Sequence, residues 1–273
     1  MSTPASKAWC ASGSAVAADH PAITLIAVPA IPTIRAGDDL ARILGDALES
    51  AALPPRRGDV LVITHKIISK AEGRCVCLAE ITPSPRAREL AAATGKDAAL
   101  VEVILSESRE VLRFRPGLII TEHRLGMVLA NAGVDQSNVP NDGDEPAVLL
   151  LPKDPDASSA ALRAALQERF REPLGVVVSD SVGRAWRNGV VGLAIGAAGL
   201  PALLDLRGRR DLEGRALKVT QVGLADQIAS AAQLLMGEAD EGRPAVLVRG
   251  LAWQGPSLPA AALVRERAED LFR

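Results

Sequence analysis

Side chains suited to metal and phosphate chemistry follow an apolar segment two thirds of the way along the 273-residue chain. Val176–Val178 is followed by Asp180 and Ser181, and then by Arg184 and Arg187. A carboxylate beside a hydroxyl can bind a hard divalent cation, and arginines can hold phosphate or carboxylate oxygens. A buried strand followed by a solvated basic turn would have the same pattern. This segment alone therefore leaves both interpretations open.

Two further polar clusters have the same design, an apolar segment followed by charged or amide side chains. Lys66 and Lys70 follow the β-branched run at 60–64, and Asp135 and Asn138 follow the apolar run at 127–130. Lysines in such positions can neutralise phosphate oxygens, although most are solvated surface groups. Aspartate and asparagine near glycine are also common in ordinary turns.

Taken together, the three clusters indicate a site for phosphoryl chemistry. Two carboxylates from different strands, Asp135 and Asp180, can clamp one or two Mg²⁺ or Mn²⁺ ions, while lysines and arginines neutralise the remaining phosphate charge. The chain has no G-x-x-x-x-G-K-[ST] loop, no H-E-x-x-H motif and no Ser-His-Asp order. The residues alone thus predict a metal-dependent nucleotide or phosphate enzyme.

Alternating helical and strand patterns predict a mixed α/β protein that would position these clusters. Predicted strands are 23–28, 60–64, 74–78, 118–121, 127–130, 147–151, 176–178, 192–199, 217–222 and 244–250. Predicted helices are 40–52, with Asp38 as N-cap, and 85–94, 98–106, 158–170, 224–236 and 260–272. Residues 1–20 are predicted to be a flexible tail and 21–273 one functional unit, with a further division into two subdomains left open.

Composition excludes several classes of function. The net charge is -2, with no Tyr and only three Phe and three Trp, which argues against a nucleic-acid binder. No 18-residue apolar run and no signal-peptide pattern are present, so we expect a cytoplasmic protein that does not bind membranes. Cys10, Cys75 and Cys77 lack zinc-site spacing, and we expect them to be reduced thiols.

Six segments, each a weak signal alone, resemble one enzyme family because they occur together in the family's order. They are G-D-V-L-V-I-T-H-K-I-I-S-K-A-E-G (58–73), N-A-G-V-D-Q-S-N-V (131–139), S-D-S-V-G-R-A-W-R-N-G (179–189), V-V-G-L-A-I-G-A-A-G (190–199), R-R-D-L-E-G-R (209–215) and L-L-M-G-E (234–238). With these segments the chain resembles the coenzyme F-420-0:L-glutamate ligase, or gamma-glutamyl ligase, family.

The resemblance implies a GTP-dependent ligase of coenzyme F-420 biosynthesis. Such an enzyme activates the carboxylate of the deazaflavin precursor coenzyme F-420-0 as an acyl phosphate, and the amine of L-glutamate then attacks it. GDP and phosphate are released, and further glutamates join through γ-linkages. The resemblance also implies two divalent cations (Mg²⁺ or Mn²⁺), stimulation by K⁺, an unusual α/β fold with mixed and antiparallel sheets, and an intertwined homodimer.

The motifs that match the family imply a role in the active site for individual residues. The metal ligands implied are Asp135, Asp180, Ser181 and Glu238. The nucleotide contacts implied are Ile31, Pro32, Thr33, Ile34, His65, Lys66, Lys70, Asn138, Met236 and Gly237. Asp135 and Asp180 would also be catalytic. Arg184 and Arg187 are our own assignment as anion contacts, which the family pattern does not make.

The chain departs from the family pattern in a few places. Ser181 stands where many relatives have threonine, which keeps the hydroxyl. His65 and Lys66 replace small hydroxyl residues of some relatives, so the nucleotide contact there could be made by the backbone or by another side chain. We expect the chain to lack the nitroreductase-like domain of actinobacterial relatives, and therefore to bind no flavin. A metal-dependent phosphohydrolase or nucleotidyltransferase, and a non-catalytic GTP-binding protein, remain as alternatives.

Overall fold

The computed structural model describes residues 21–139 and 146–271. The tail predicted at 1–20 lies outside the described residues. The described strands are β1 Thr24–Ala27, β2 Val60–Thr64, β3 Cys75–Cys77, β4 Ser108–Arg115, β5 Leu118–His123, β6 Val128–Ala130, β7 Ala147–Leu149, β8 Gly175–Arg184, β9 Arg187–Ala198, β10 Leu203–Asp205, β11 Gln221–Gly223 and β12 Ala245–Arg249. The described α-helices are α1 Leu40–Ser50, α2 His65–Ala71, α3 Pro85–Thr94, α4 Ala98–Ser106, α5 Pro155–Phe170 and α6 Leu224–Met236.

A five-stranded mixed sheet in the order β1-β12-β2-β8-β9 forms the centre of the fold. β2 and β8 are parallel, and the other neighbouring strands of this sheet are antiparallel. β4-β5-β6 form an antiparallel sheet of their own, and β3-β7 and β10-β11 form two-stranded ribbons. The predicted mixed α/β class, with mixed and antiparallel sheets, is therefore confirmed.

Both faces of the central sheet are buried, as the apolar β-branched sequences of β2 and β8 require. Leu61 and Ile63 face the cluster formed with α1 and α5, whereas Val60 and Val62 face the cluster formed with α6. A third cluster lies around α3, α4 and β5. In the described part of the chain, no helix is both long enough and apolar enough to span a membrane.

Two glycines of β9 allow helices to approach the sheet closely on both faces. A side chain at Gly192 would lie 2.6 Å from the Ala229 carbonyl oxygen of α6, and one at Gly196 would overlap Pro155 of α5. An irregularity in the β8–β9 register between these glycines explains why they face opposite helices despite their even spacing. The strand predicted at 192–199 is confirmed as part of β9.

Several local predictions need correction. The helix predicted at 260–272 does not form over the described residues of this range: Ala260–Leu263 and Arg267–Glu269 are short 3-10 turns separated by extended backbone at Val264. The Asp156 carboxylate accepts hydrogen bonds from the Ala260 and Ala261 amides, and these tertiary contacts override the helical pattern. The strand predicted at 217–222 forms only at Gln221–Gly223, β4 and β10 were not predicted, and α1 is capped by Asp39 rather than Asp38.

A buried network of charged side chains joins the end of α4, the start of β3 and the turn after β5. The Glu107 carboxylate, after α4, accepts hydrogen bonds from Arg74 at 2.8 Å and from Arg124 at 3.0 Å, and His123 lies 3.5 Å away. Burial raises the pKa of Glu107, but the His123 and arginine partners outweigh it and lower this pKa to about 2. The folded state therefore holds Glu107 ionised more strongly than the unfolded chain does.

We predict that Glu107→Gln lowers the free energy of unfolding at pH 7 by up to roughly 3 kcal/mol, because a pKa shift is a difference in stability. The pKa of Glu107 is depressed from 4.5 to about 2, so its stabilisation is complete above pH 4.5 and is lost as the pH falls toward 2. Urea unfolding of both proteins at several pH values measures this difference. Glu89→Gln, which breaks an exposed pair with Arg86, is the matched control. A difference that stays constant over this pH range would contradict the account.

Candidate active site

The site lies where β8 continues past the end of its parallel neighbour β2. The register pairs Thr64, the last residue of β2, with Ser179, so Asp180 and Ser181 extend beyond β2 and pair only with β9. The sequence pattern predicted polar residues after this strand. They instead lie within it, because the hairpin with β9 keeps β8 extended as far as Arg184.

The chain turns from β2 directly into α2, a helix that was not predicted. His65, Lys66 and Lys70 lie on this helix, and the two lysines are four residues apart and so share one of its faces. The spacing of the lysines around Ile67 and Ile68 is a helical signal that could have revealed α2 from the sequence.

His65 is buried behind the Asp180 carboxylate. Its side chain is 1% exposed, its Nε2 atom lies 3.3 Å from Asp180 Oδ1, and its Nδ1 atom lies 3.3 Å from Ser69 Oγ. Asp180 Oδ1 also accepts a hydrogen bond from the Ser181 amide at 2.7 Å. The Ser181 amide holds this carboxylate in position, and the buried imidazole packs beside it.

Lys66 connects α2 to the second predicted carboxylate. Its ammonium group lies 2.8 Å from Asp135 Oδ2 and donates a hydrogen bond to Ser137 Oγ at 2.7 Å. Asp135 Oδ1 accepts hydrogen bonds from both the amide and the hydroxyl of Ser137. The Asp135 amide and carbonyl also pair with Leu149, which anchors this segment to the rest of the fold.

Two pKa shifts describe the electrostatics of this cluster. Burial raises the pKa of Asp135, but hydrogen bonds from Lys66 and Ser137 outweigh it, so the pKa lies below its ordinary value. Burial and the charge of Lys66 lower the pKa of Lys70, although Cys75 and Asp135 oppose the shift. An anion placed beside the two lysines would relieve their mutual repulsion.

The end of α6 brings a further carboxylate to the site. Gly237 ends the helix with φ 73°, a left-handed conformation that favours glycine, and Glu238 follows it. Glu238 Oε1 accepts hydrogen bonds from Ser181 Oγ at 3.1 Å and from Gln233 Nε2 at 2.8 Å. Gln233 was not predicted as a site residue, and its position one turn before the M-G-E segment is the only signal that could have indicated it.

These elements surround a cavity of about 630 Å³, here called the polar cavity. Of the predicted site residues, those that line it are Ile31, Pro32, Thr33, Ile34, Lys66, Lys70, Asn138, Ser181, Met236, Gly237 and Glu238. Asn138 also donates a weak hydrogen bond to the Ala239 carbonyl oxygen at 3.4 Å, which links two walls of the cavity. Segments far apart in the sequence are therefore brought together around one space.

Five predicted residues are not in the lining of this cavity. Asp135 and Asp180 contact it through Lys66 and Ser181, and His65 is buried behind Asp180. Arg184 and Arg187 lie at the end of the β8–β9 hairpin, where Arg184 Nη2 donates to the Asn188 carbonyl oxygen. The roles of His65 as a nucleotide contact and of both arginines as anion contacts stay predictions.

The donor atoms of the site suit a hard cation. Asp180, Glu238 and Asp135 offer carboxylate oxygens and Ser181 a hydroxyl, which are the ligand types that Mg²⁺ and Mn²⁺ prefer. Among the described residues, no three side chains of the His, Cys, Asp or Glu type already form a metal-binding group. One carboxylate is paired with Lys66 and another with Ser181 and Gln233, so a cation would compete with these partners.

Comparison with known proteins identifies the family. The family model of F420-0:gamma-glutamyl ligase matches residues 29–250, which include every residue that lines the polar cavity. The chain belongs to this family. The F420-0:gamma-glutamyl ligase match thus covers the central sheet from β2 to β12 and the whole of the site.

Relatives from methanogens and from another archaeon support the same assignment. The chain is 50% identical over 258 residues to the coenzyme F420:L-glutamate ligase of Methanopyrus kandleri, an alignment that covers 93% of this chain and 98% of the relative. It is 46% identical to the ligase of that name from Methanothermobacter thermautotrophicus, over 92% of this chain and 99% of the relative. The Archaeoglobus fulgidus ligase is 44% identical, over 92% of this chain and 96% of the relative.

Proposed function

We propose that the protein joins L-glutamate to coenzyme F420-0 with the hydrolysis of GTP to GDP and phosphate, and adds further glutamates through γ-linkages. The observation that carries the proposal is the polar cavity, where two lysines face a hydroxyl and carboxylates on segments that all lie in the family match. A ligase that proceeds through an acyl phosphate needs this combination, because phosphoryl transfer depends on positioning and charge neutralisation.

In this proposal GTP occupies the polar cavity. Its volume of about 630 Å³ is in the range of small-molecule sites, and its lining includes the predicted nucleotide loop Ile31–Ile34. Lys66 and Lys70 are positioned to bind phosphate oxygens, because both line the cavity from the same face of α2. Asn138 and Met236–Gly237 would contact the nucleotide from the opposite walls.

Asp180, Ser181, Glu238 and Asp135 would hold two divalent cations in this proposal. Bound Mg²⁺ or Mn²⁺ would neutralise the phosphate charge and orient the transferred phosphoryl group. The Ser181 amide keeps the Asp180 carboxylate in place, with the His65 ring packed behind it, which limits the reorganisation needed to bind a charged ligand. Stimulation by K⁺ is part of the proposal through the family resemblance alone.

The chemistry would proceed in two steps. A carboxylate oxygen of coenzyme F420-0 attacks the γ-phosphorus of GTP, the bond to the bridging oxygen breaks, and GDP leaves. The glutamate amine then attacks the acyl carbon, phosphate leaves with the former carboxylate oxygen, and the amine loses a proton as the amide forms. The lysines on α2 would stabilise the negative charge that moves onto GDP.

We also propose that the protein is a homodimer. Trp186, Leu212 and Val219 are large apolar side chains that are between 82% and 104% exposed. Contiguous exposed apolar surface is typical of a site that another chain covers, and these side chains would contribute to such a surface.

An assay of GDP release with each substrate omitted in turn tests the proposed function. We expect GDP release from GTP and Mn²⁺ only when both L-glutamate and coenzyme F420-0 are present. Equally fast release without either would indicate the phosphohydrolase, and tight GTP binding without turnover would indicate the non-catalytic protein.

Replacing Lys70 tests the assigned position of GTP. We predict that Lys70→Ala weakens GTP binding by about tenfold to hundredfold, because one charge-assisted contact to phosphate is lost. Calorimetric titration with GTP measures the change, and Lys218→Ala, an exposed lysine outside the cavity, is the matched control. A fall in kcat with unchanged GTP affinity would instead place Lys70 in the transition state.

A further inference from the structure

A second cavity, here called the apolar cavity, lies beside the β8–β9 hairpin and has a volume of about 450 Å³. Its walls come from the segment before β6, from the start of α5, from β8 and β9, and from the chain after β12. Most of its lining is apolar, including Met127, Leu129, Leu193, Leu263 and Val264. None of the residues assigned above to GTP or to cations lines it.

The apolar cavity borders Asp180, one of the two predicted metal ligands on β8. Leu193 is the register partner of Asp180, and Val182 lies two residues farther along β8 on the same face as Asp180. Ser181 projects to the opposite face and lines the polar cavity. Asp180 therefore lies beside the wall of one cavity, and the adjacent Ser181 lines the other.

Carboxylates in the apolar cavity are directed to backbone amides. Asp226 Oδ1 accepts a hydrogen bond from the Ala194 amide, and Asp156 Oδ1 accepts one from the Ala197 amide. These contacts occupy N–H groups at the outer edge of β9, the last strand of the sheet. These two acidic groups are thus engaged by the backbone. Lys153, Asp154, Arg265 and Asp270 complete the charged part of a lining that is mainly apolar.

We propose that the apolar cavity binds the flat aromatic ring system of the acceptor, with its carboxylate-bearing chain directed past Val182 toward Asp180. An apolar, partly enclosed space of this size suits a fused ring, whereas the anionic carboxylate would reach the lysines and cations of the polar cavity. This arrangement brings the acceptor carboxylate to the γ-phosphate of GTP from the other side of β8. The inference rests on the proposed ligase function and adds to it where the acceptor binds.

The wall formed after residue 250 extends beyond the region that matches the family model. Leu263 and Val264 line the apolar cavity, whereas the match ends at residue 250. Most of the lining of the apolar cavity lies within the match, and the segment after residue 250 closes the remaining wall of the space for the acceptor ring.

A substitution that fills the cavity tests the inference on the full-length protein. We expect Val264→Trp to raise the dissociation constant for coenzyme F420-0 by at least about tenfold, the equivalent of 1.4 kcal/mol, while GTP binding stays unchanged. Titration followed by the fluorescence of the deazaflavin ring measures the first quantity, and calorimetry measures the second. Ile23→Trp, a comparable change at an exposed β-branched residue that lines neither cavity, is the control.

A second variant covers misfolding of the first, and two outcomes separate a failure of this inference from a failure of the proposed function. If Val264→Trp also loses GTP binding through misfolding, Met127→Gln, which makes the lining polar with little change in size, is measured in its place. Unchanged acceptor affinity in a folded variant of an active enzyme would overturn this inference and leave the proposed function intact. A wild-type protein that binds GTP but never joins glutamate to the acceptor would instead overturn the proposed function.

Discussion

Replacing Asp180 with asparagine is expected to lower kcat on the order of 10⁴-fold, because a carboxylate that holds the phosphoryl-neutralising cation loses its charge. The substitution keeps the size of the side chain and leaves an oxygen that can still accept the 2.7 Å hydrogen bond from the Ser181 amide. The fold should therefore be retained. The loss would come from the site itself rather than from the packing around it.

Two measurements separate this explanation from a general loss of structure. Thermal unfolding should show a melting temperature close to that of the wild type, and titration with Mn²⁺ should show weaker binding. Asp205→Asn is the matched control, because Asp205 is an exposed carboxylate paired with Arg207 and lies outside both cavities. Activity near that of the wild type in Asp180→Asn would remove this residue from the site.

The second large effect is expected at Asp135. Asp135→Asn should lower kcat on the order of 10³-fold, because it removes a second cation ligand and leaves Lys66 without its ionic partner at 2.8 Å. Kinetics at saturating GTP and glutamate measure the change. Ser137→Ala, which removes the hydroxyl that bonds to both side chains, should have a much smaller effect because both charges remain.

Equal losses in Asp135→Asn and Ser137→Ala would contradict this account. That result would mean that the hydrogen-bonded arrangement of the loop matters more than the carboxylate charge. A pure increase in the KM for GTP, with kcat unchanged, would show that Asp135 serves only to orient Lys66.

Much of the secondary structure was predictable because local pattern and tertiary environment agree. The helices Pro85–Thr94, Ala98–Ser106 and Leu224–Met236 form over the predicted residues, and the first two begin at the capping residues Ser84 and Asp97. β2 is an apolar β-branched run and is buried at the centre of the sheet. In each case the sequence period and the burial pattern lead to the same element.

The missed elements depend on partners that are distant in the sequence. β4 carries charged and exposed residues, and it is a strand because its backbone pairs with β5. Residues 260–272 have a helical pattern, but Asp156 binds the amides of Ala260 and Ala261, and Arg267 pairs with Glu110 and Glu122. Such long-range contacts cannot be inferred from the hydrophobic periodicity of a short stretch of sequence.

The site was predictable as a set of residue types but not as a geometry. Lys66 pairs with Asp135, which lies 69 residues later in the sequence (135 − 66). Ser181 pairs with Glu238, which lies 57 residues later (238 − 181). Family motifs gave most of the cavity lining. They did not show that His65 lies behind Asp180, that Gln233 holds Glu238, or that a second cavity borders the same strand.

Transfer of labelled oxygen tests the central claim most directly. Coenzyme F420-0 with ¹⁸O in its carboxylate is incubated with the protein, GTP, Mn²⁺ and L-glutamate, and the products are analysed by mass spectrometry. The account predicts an acceptor that is heavier by one or more glutamyl residues, together with one ¹⁸O atom in each phosphate released by the first ligation. Phosphate without the label, or labelled acceptor recovered unchanged while GTP is consumed, would contradict it.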